Sequence, residues 1–223
     1  IADAVKRTEI RPGRRLDSLT GEAAESLTKL NGELCRSESF WVRRLAKLEP
    51  IELPQAKTGG CACEASQRRH EKIHVPRAFV DRLKAGGFAD GLTSAFGLFL
   101  AKIGQKNRFH LAFSDSALRK RIGGFEAWVS ARVPLQIEVT HGDTFDQAVV
   151  KLGDELKDMR RRGTWLTDVV ARFSELRVKP ELGEGRFVPI GVEQRSSLGG
   201  GELEKGLQLA LAISEADAEA RLE

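Results

Sequence analysis

Two cysteines and two histidines are the first residues in this sequence that could do chemistry together. Cys61 and Cys63 form a Cys-x-Cys pair, and His70 and His74 follow as His-x3-His. Thiolate and imidazole are preferred ligands of zinc. The spacing differs from that of closed zinc sites, however, and the two histidines straddle a predicted strand start instead of sharing one helix turn. Incidental cysteines in a loop are the alternative, and we predict a mobile, metal-free loop over residues 57–69.

The other two histidines are candidates for a general base. His110 lies in the alternating segment RFHLAF, which is typical of a strand, and there the alternative is a packed or surface residue. His141 lies in VTHGDTFD, between a predicted strand end and a helix start. A general base also needs a shaped pocket, and a histidine beside Gly142 is typical of a turn. We therefore predict no catalytic residue and no metal ligand in this chain.

Several familiar catalytic motifs are missing from the sequence. There is no GxSxG nucleophile elbow, and Ser94, in GLTSAFG, lies inside a predicted apolar helix. The glycines of GGGE and ELGEG lack the spacing of a phosphate-binding loop. The chain contains no tyrosine, so a tyrosine acid or base is excluded.

Composition and charge limit the class of protein further. Of the 223 residues, 41% are hydrophobic and 30% are charged, which is typical of a globular domain. The net charge is +4, but acids are interleaved with the basic residues, so we expect a mildly basic surface and no nucleic-acid partner. No apolar run approaches the ~20 residues that span a bilayer, and no signal peptide is recognisable. Three cysteines are no disulfide framework and agree with a cytoplasmic protein.

Hydrophobic periodicity predicts alternating strands and helices. Strands are expected in EKIHV, RFHLAF, ARVPLQIEV, RFVPIGVEQ and LQLALAIS. Helices are expected from Pro76, from Phe88 and from Thr144, where Gln147 completes a capping box. A shorter helix is expected around residues 165–173. Strands separated by long helices predict an α/β fold with a mixed sheet.

Two strand predictions go beyond the element itself. Pro134 cannot donate to a sheet ladder, so its strand should lie at an edge of the sheet. The last two strands should pair as a hairpin or through a long loop.

The N-terminal part of the chain ends in a different pattern. Ser37 is a suitable N-cap for a short basic helix that carries Phe40 and Trp41. This helix should stop before Pro50, because a residue before proline is pushed out of the α region. The following IELPQ is extended, as in a connection between two packed units.

The ordered series of segments points to a family. The segments are FWVRRLAKLEPIELP, HVPRAFVDRLKAGGFADGLTSAFGLFLAKIGQ, RFHLAFSDSALR, IGGFEAWVSARVPLQIEV, DTFDQAVVKLGDELKDMRRR and the late strands. Together they resemble the C-terminal half of a condensation domain from a nonribosomal peptide synthetase, over nearly the whole chain. The resemblance implies a chloramphenicol acetyltransferase-like lobe, in which helices flank a mixed sheet.

The sequence departs from that family at identifiable positions. Phe113-Ser114-Asp115 stands where the family has a Gly-Thr-Pro run, and residues 126–132 replace its Phe-Val-Asn-Thr-Leu run. The family's catalytic signature HHxxxDG is absent, because no two histidines are adjacent. Arg119 matches the family's arginine. The resemblance implies either a salt-bridge anchor within the lobe, which we favour, or a substrate-binding residue in a tunnel wall.

The resemblance also implies how the chain is divided. Residues 1–56 would hold a helical segment and the connection from a missing N-terminal lobe, which in the family carries the catalytic histidines. Residues 57–69 would be the mobile loop, and residues 70–223 the C-terminal lobe. The only methionine is Met159, which agrees with a piece of something longer.

Three functions follow from the resemblance. The first is part of an enzyme that joins carrier-protein-bound thioesters into an amide, with no cofactor of its own beyond the phosphopantetheine arms of the carrier proteins. The second is a non-catalytic docking or scaffolding module that binds a carrier protein. The third is a stand-alone acyltransferase with a site between protomers, in which His141 would have to serve. HGDTFD lacks the His-x3-Asp spacing of those enzymes.

Overall fold

Helices and strands alternate in the computed structural model, which describes residues 21–52, 70–83, 87–140, 142–179, 182, 188–198 and 207–222. The helices there are α1 (Gly21–Cys35), α2 (Glu38–Ala46), α3 (Arg77–Leu83), α4 (Phe88–Gly104), α5 (Ser116–Ile122), α6 (Phe145–Arg162), α7 (Val169–Arg172) and α8 (Ser174–Arg177). The strands are β1 (Glu71–Ile73), β2 (Arg108–Ser114), β3 (Val133–Glu138), β4 (Ile190–Arg195), β5 (Leu209–Ser214) and β6 (Ala220–Leu222). The predicted α/β class is confirmed.

The six strands form one mixed sheet in the order β1-β6-β5-β4-β2-β3. At its centre β4 pairs in parallel with both β2 and β5. The outer pairs, β2 with β3, β5 with β6 and β6 with β1, are antiparallel. The carboxyl ends of β2, β4 and β5 therefore lie at the same end of the sheet. The carboxyl ends of parallel strands commonly form ligand sites.

The pairing of the last two predicted strands excludes a hairpin. β4 and β5 are neighbours over their whole length, but they run in parallel, which a tight turn cannot produce. The long-loop alternative is the correct one. The short β6, which the periodicity missed, is the antiparallel partner of β5.

Pro134 lies where its missing N–H costs nothing. Among the described strands β3 pairs with β2 alone, so it is an edge strand as predicted. The Val139 N–H donates to the backbone carbonyl of Asn107 over 2.8 Å, so this pair is a hydrogen-bonded one. Hydrogen-bonded and non-hydrogen-bonded pairs alternate along two antiparallel strands. Pro134, opposite Ala112, therefore falls on a position whose N–H would point away from β2.

Helix α6 begins as its sequence predicts. Thr144 accepts a hydrogen bond from the Gln147 N–H, and the Gln147 side chain accepts one from the Thr144 N–H, so the capping box is complete. Leu152, Leu156 and Met159 are buried and hold the helix against the sheet. The basic triplet at its end also suits the negative end of the helix dipole.

Two local predictions need correction. Ser37 directly precedes α2, but its side chain makes no capping hydrogen bond. The single helix expected around residues 165–173 is instead two four-residue helices, because Trp165 stays outside them and Phe173 adopts an extended conformation.

One hydrophobic core joins the N-terminal part to the sheet. Trp41, Leu45 and Ile51 are fully buried in the same core as the apolar residues of β2. Both faces of β2 are covered, so His110 is buried as well, with no exposed surface. No helix in the described ranges is long and apolar enough to cross a membrane.

Candidate functional site at the ends of the parallel strands

Arg119, the one candidate substrate-binding residue, is placed by a short helix directly after β2. The Asp115 side chain caps α5 by accepting a hydrogen bond from the Leu118 N–H over 2.7 Å. Gly123 ends the helix with a φ of 53°, in the left-handed region that glycine tolerates. This helix was not predicted, although an aspartate cap and a terminal glycine are its usual signals. Arg119 thereby lies above the carboxyl end of β2.

The partner of Arg119 is a buried carboxylate on the neighbouring strand. Its Nη2 lies 2.9 Å from Glu193 Oε2, and its Nε donates to the Ser114 Oγ over 3.2 Å. Ser114 and Glu193 are opposite each other in the β2–β4 register, so their side chains point to the same face. The anchor contact favoured from the sequence is therefore present, while the substrate-binding role remains a prediction.

Glu193 is held by two arginines. Its side chain is 1% exposed, and Arg195, 11% exposed, also forms an ion pair with Oε2. Two guanidinium groups thus surround one buried carboxylate. We call Arg119, Glu193, Arg195 and Ser114 the Glu193 cluster.

Two atoms of the Glu193 cluster are buried and have no hydrogen-bond partner among the residues that the structure describes. They are Glu193 Oε1 and Arg119 Nη2, whose contact with Oε2 lacks hydrogen-bond geometry. Buried polar atoms are nearly always paired in folded proteins, so each exception calls for an explanation. One atom is an acceptor and the other a donor, and a carbonyl or amide group has the matching chemistry.

A second charged cluster lies at the same strand ends, on the opposite face of the sheet. Arg160 of α6 binds Asp115 Oδ2 over 2.9 Å, both Asp90 oxygens over 2.7 and 2.8 Å, and Gln194 Oε1 over 2.8 Å. Gln194 in turn donates to Asp90 and to Thr93 Oγ1, each over 3.0 Å. We call these five residues the Arg160 cluster. It ties α4, α6, β4 and the start of α5 together.

The charges of the Arg160 cluster are mutually stabilised. Burial alone would raise the pKa of Asp90, but hydrogen bonding and charge from Arg160 outweigh it and hold the pKa of Asp90 below its ordinary value. The hydrogen bond to Asp90, with help from Asp115, raises the pKa of Arg160 above its already high value despite burial. The cluster is a structural clamp.

Two cavities lined by described residues lie apart from the Glu193 cluster. One of about 110 Å³ lies beside Arg160, between β2, β3 and the end of α6. A larger one of about 210 Å³ lies between α4, α6 and the end of β3, at the opposite end of the sheet. The two unpartnered atoms are therefore better evidence for a site than cavity size is.

The histidines and cysteines are not brought together with Arg119. His110 is at the amino-terminal half of β2, where its Nδ1 accepts a hydrogen bond from the Glu49 N–H over 3.1 Å. His70 and His74 are exposed beside β1. Cys61, Cys63, the loop 57–69 and His141 lie outside the described residues. Among the residues that are described, no three His, Cys, Asp or Glu side chains form a group that could hold a metal ion.

Sequence reasoning missed the two most informative residues of this region. Glu193 was assigned only to a strand, in RFVPIGVEQ, and Arg195 to the turn-rich connection that follows it. A charged residue in a strand that is otherwise apolar is a signal that could have been used, because a buried carboxylate needs a cation. Its partner could not be identified from the sequence.

Solved structures show what this arrangement is similar to. No protein-family profile and no curated protein sequence matches the chain. The starter condensation domain of rhizomide synthetase RzmA matches 89% of the chain with TM-score 0.59 at 15% identity, over 48% of its own length. The cyclization-docking bidomain of the nonribosomal peptide synthetase EpoB from Sorangium cellulosum matches 90% with TM-score 0.57 at 19% identity, over 45% of its length.

A third match has the same extent. The X-domain from teicoplanin biosynthesis matches 90% of the chain with TM-score 0.62 at 14% identity, over 52% of its own length. The chain thus spans about half the length of each of these three structures. At these identities the likeness shows the fold, which is that of condensation domains from nonribosomal peptide synthetases.

Proposed function

We propose that this chain is the C-terminal part of a condensation domain of a nonribosomal peptide synthetase. In this proposal it works with an N-terminal lobe that carries the catalytic histidines, and together they join carrier-bound acyl and aminoacyl thioesters into an amide. The single observation that carries the proposal is the fold. It is shared along 89% of this chain with a condensation domain of which the chain covers only 48%.

The Glu193 cluster gives this lobe its part in the reaction. The phosphopantetheine arm of a carrier protein contains amide groups, which offer both a carbonyl acceptor and an N–H donor. These complement Arg119 Nη2 and Glu193 Oε1, the two buried atoms without hydrogen-bond partners. Arg119 would then bind the arm, and Glu193 would fix the position of its guanidinium.

The lobe would contribute orientation and no acid or base of its own. Holding two thioesters in line turns a bimolecular step into an effectively unimolecular one, which accounts for a large part of many catalysed reactions. The chain has four histidines, none adjacent to another. We therefore expect that the isolated chain forms no product, and that the parent protein acts in the cytoplasm, where its carrier proteins are.

A second candidate is a non-catalytic module that docks a carrier protein. Ser114 and Asp115, which replace residues of the family motif, are both engaged within the lobe, Ser114 with Arg119 and Asp115 with Arg160. A mildly basic surface would assist encounter with an acidic carrier protein. This reading needs no contact between the phosphopantetheine arm and Arg119.

Binding of carrier proteins with and without the phosphopantetheine arm separates the two functions. We expect calorimetry to show that the chain binds the carrier with the arm more tightly than the bare carrier. Arg119→Met should reduce the ratio of these two affinities about tenfold. The neighbouring Lys120→Met, which changes an exposed charge on the same helix, is the control. Equal affinity for both carriers in wild type would support the docking module and reject the proposal. Mass spectrometry of loaded carriers incubated with the chain alone should show no product.

A further inference from the structure

The two unpartnered atoms of the Glu193 cluster belong to one ion pair. Arg119 Nη2 lies 2.9 Å from Glu193 Oε2. The acceptor that finds no partner in the described part of the chain, Oε1, is the other oxygen of the same carboxylate. The open donor and the open acceptor are therefore side by side. A ligand that bonds to both must present its own acceptor and donor side by side.

Arg195 determines which oxygen of Glu193 is open. The two residues are two positions apart on β4, so their side chains lie on the same face of the sheet. Arg195 Nε donates to Glu193 Oε2 over 2.9 Å, and its Nη2 donates to the same oxygen. Arg119 also contacts Oε2, so neither guanidinium group bonds to Oε1. Because the Arg195 side chain is 11% exposed and bonds twice, it holds the carboxylate in this orientation.

Arg119 presents the open donor from a fixed position near the protein surface. Its Nε donates to Ser114 Oγ over 3.2 Å, and Ser114 is opposite Glu193 in the β2–β4 register. The Arg119 side chain is 35% exposed although its Nη2 is buried, so a ligand can approach from solvent beside it. Such a ligand meets a donor and an acceptor that are already in place, which lowers the cost of ordering them on binding.

A single amide of the usual trans geometry cannot bond to both atoms from one side. Its C=O and N–H lie in one plane and point in opposite directions, and the cis form is strongly disfavoured. The phosphopantetheine arm, however, contains two amides that are joined through two methylene carbons as a β-alanine unit. The N–H at one end of this unit and the C=O at its other end are separated by rotatable bonds, so both can turn to the same side.

We propose that the Glu193 cluster recognises the β-alanine unit of the phosphopantetheine arm. Glu193 Oε1 accepts from the N–H of the amide nearer the phosphate, and Arg119 Nη2 donates to the C=O of the amide nearer the thiol. Arg195 is the positioning residue that keeps Oε1 available. This inference rests on the proposed function and names the part of the arm that is bound.

Carrier proteins with altered arms test the assignment by calorimetry. Replacing the N–H of the phosphate-side amide with an ester oxygen removes the donor to Glu193, and affinity for the chain should fall about tenfold below that of the natural arm. The same replacement in the thiol-side amide is the matched control, because that N–H has no partner in the proposal. It should bind within about threefold of the natural arm.

A substitution at Glu193 shows whether that residue reads the altered group. In Glu193→Gln the amide oxygen must face the two arginines, so an NH₂ donor takes the place of Oε1. This variant should bind the natural arm and the phosphate-side ester arm equally. Glu175→Gln makes the same chemical change at an exposed position of α8 and should keep the tenfold difference of wild type. A tenfold difference that persists in Glu193→Gln would overturn the assignment.

Arg119→Met gives an independent test if Glu193→Gln, which leaves Arg195 without its carboxylate, does not fold. An arm with a methylene in place of the thiol-side carbonyl should bind wild type about tenfold more weakly than the natural arm. It should bind Arg119→Met as well as the natural arm does. A difference of the same size in Arg119→Met would show that this residue does not bind the carbonyl.

The failure of this inference and that of the proposed function are distinguishable. Equal affinity of wild type for carriers with and without the natural arm rejects the proposed function, and the β-alanine assignment with it. Tighter binding of the natural arm, with no loss from the phosphate-side ester or from the missing thiol-side carbonyl, rejects only the assignment. A larger loss from the control ester than from the phosphate-side ester also rejects it.

Discussion

The two charged clusters lie at the same strand ends, on opposite faces of the sheet, yet they differ in how completely their polar atoms are hydrogen-bonded. In the Arg160 cluster the arginine is hydrogen-bonded to two aspartates and an amide, and that amide is itself bonded to Asp90 and Thr93. In the Glu193 cluster one carboxylate oxygen and one guanidinium nitrogen are buried and find no hydrogen-bond partner in the described part of the chain. Neighbouring residues of β4, Glu193 and Gln194, belong to the two different clusters because side chains alternate along a strand.

The difference separates a structural role from a candidate functional one. A fully satisfied buried network is rigid and loses much when one member is removed. Buried donors and acceptors without partners carry an energetic cost, so a cluster that contains them is a candidate for ligand binding. We therefore expect stability to depend mainly on Arg160 and carrier binding mainly on Arg119.

The largest effect is expected from Arg160→Met. It leaves Asp90 and Asp115 without their cation. Because Arg160 is 33% exposed, we expect the free energy of unfolding to fall by about 3 kcal/mol, the lower end of the range for breaking a buried ion pair. Urea denaturation measures this loss. Arg161→Met, one residue further along α6 and 74% exposed, should stay within about 0.5 kcal/mol of wild type. Equal losses for the two variants would contradict the clamp.

His110 offers an intermediate effect, and it shows that an open buried atom need not mean a ligand site. Its Nε2 is also buried and lacks a hydrogen-bond partner within the described ranges, but it lies away from the parallel strand ends. Burial, aided by the charge of Arg44, lowers the pKa of His110 to about 4. The bond from the Glu49 N–H to Nδ1 also requires the neutral ring.

The pH dependence of stability follows from this lowered pKa. Below about pH 6.5 the unfolded chain takes up a proton that folded His110 does not bind, so the stabilising neutral state is fully present above pH 6.5 and its contribution falls as the pH drops towards 4. The loss is about 3 kcal/mol at most. Between pH 6.5 and 4 the free energy of unfolding should fall by up to about 3 kcal/mol less in His110→Leu than in wild type. Identical slopes would show that His110 titrates normally.

The smallest effect on stability is expected from Arg119→Met. Glu193 keeps Arg195, so the free energy of unfolding should fall by only about 1 kcal/mol. Thermal and urea denaturation of Arg119→Met and Arg160→Met under the same conditions compare the two losses of stability. If Arg119→Met proves as destabilising as Arg160→Met, both clusters are structural and the assignment of Arg119 to substrate binding loses its support.

The amino-acid sequence by itself determined the elements whose causes are local. The capping box of α6 depends on Thr144 and Gln147, three residues apart, and it is present in the structure. The edge position of β3 follows from Pro134, whose missing N–H is a property of that residue alone. The alternation of helices and strands, and so the α/β class, comes from periodicities of a few residues.

Only the tertiary structure decided which distant residues meet. The parallel pairing of β4 with β2 and β5 is not encoded in any turn, because parallel neighbours are joined by long crossovers whose course the local pattern does not specify. That pairing brings Glu193 beside Ser114 and under Arg119. Charges far apart in sequence become partners only when the sheet order is fixed, since ionic contacts act over distances in space and not along the chain.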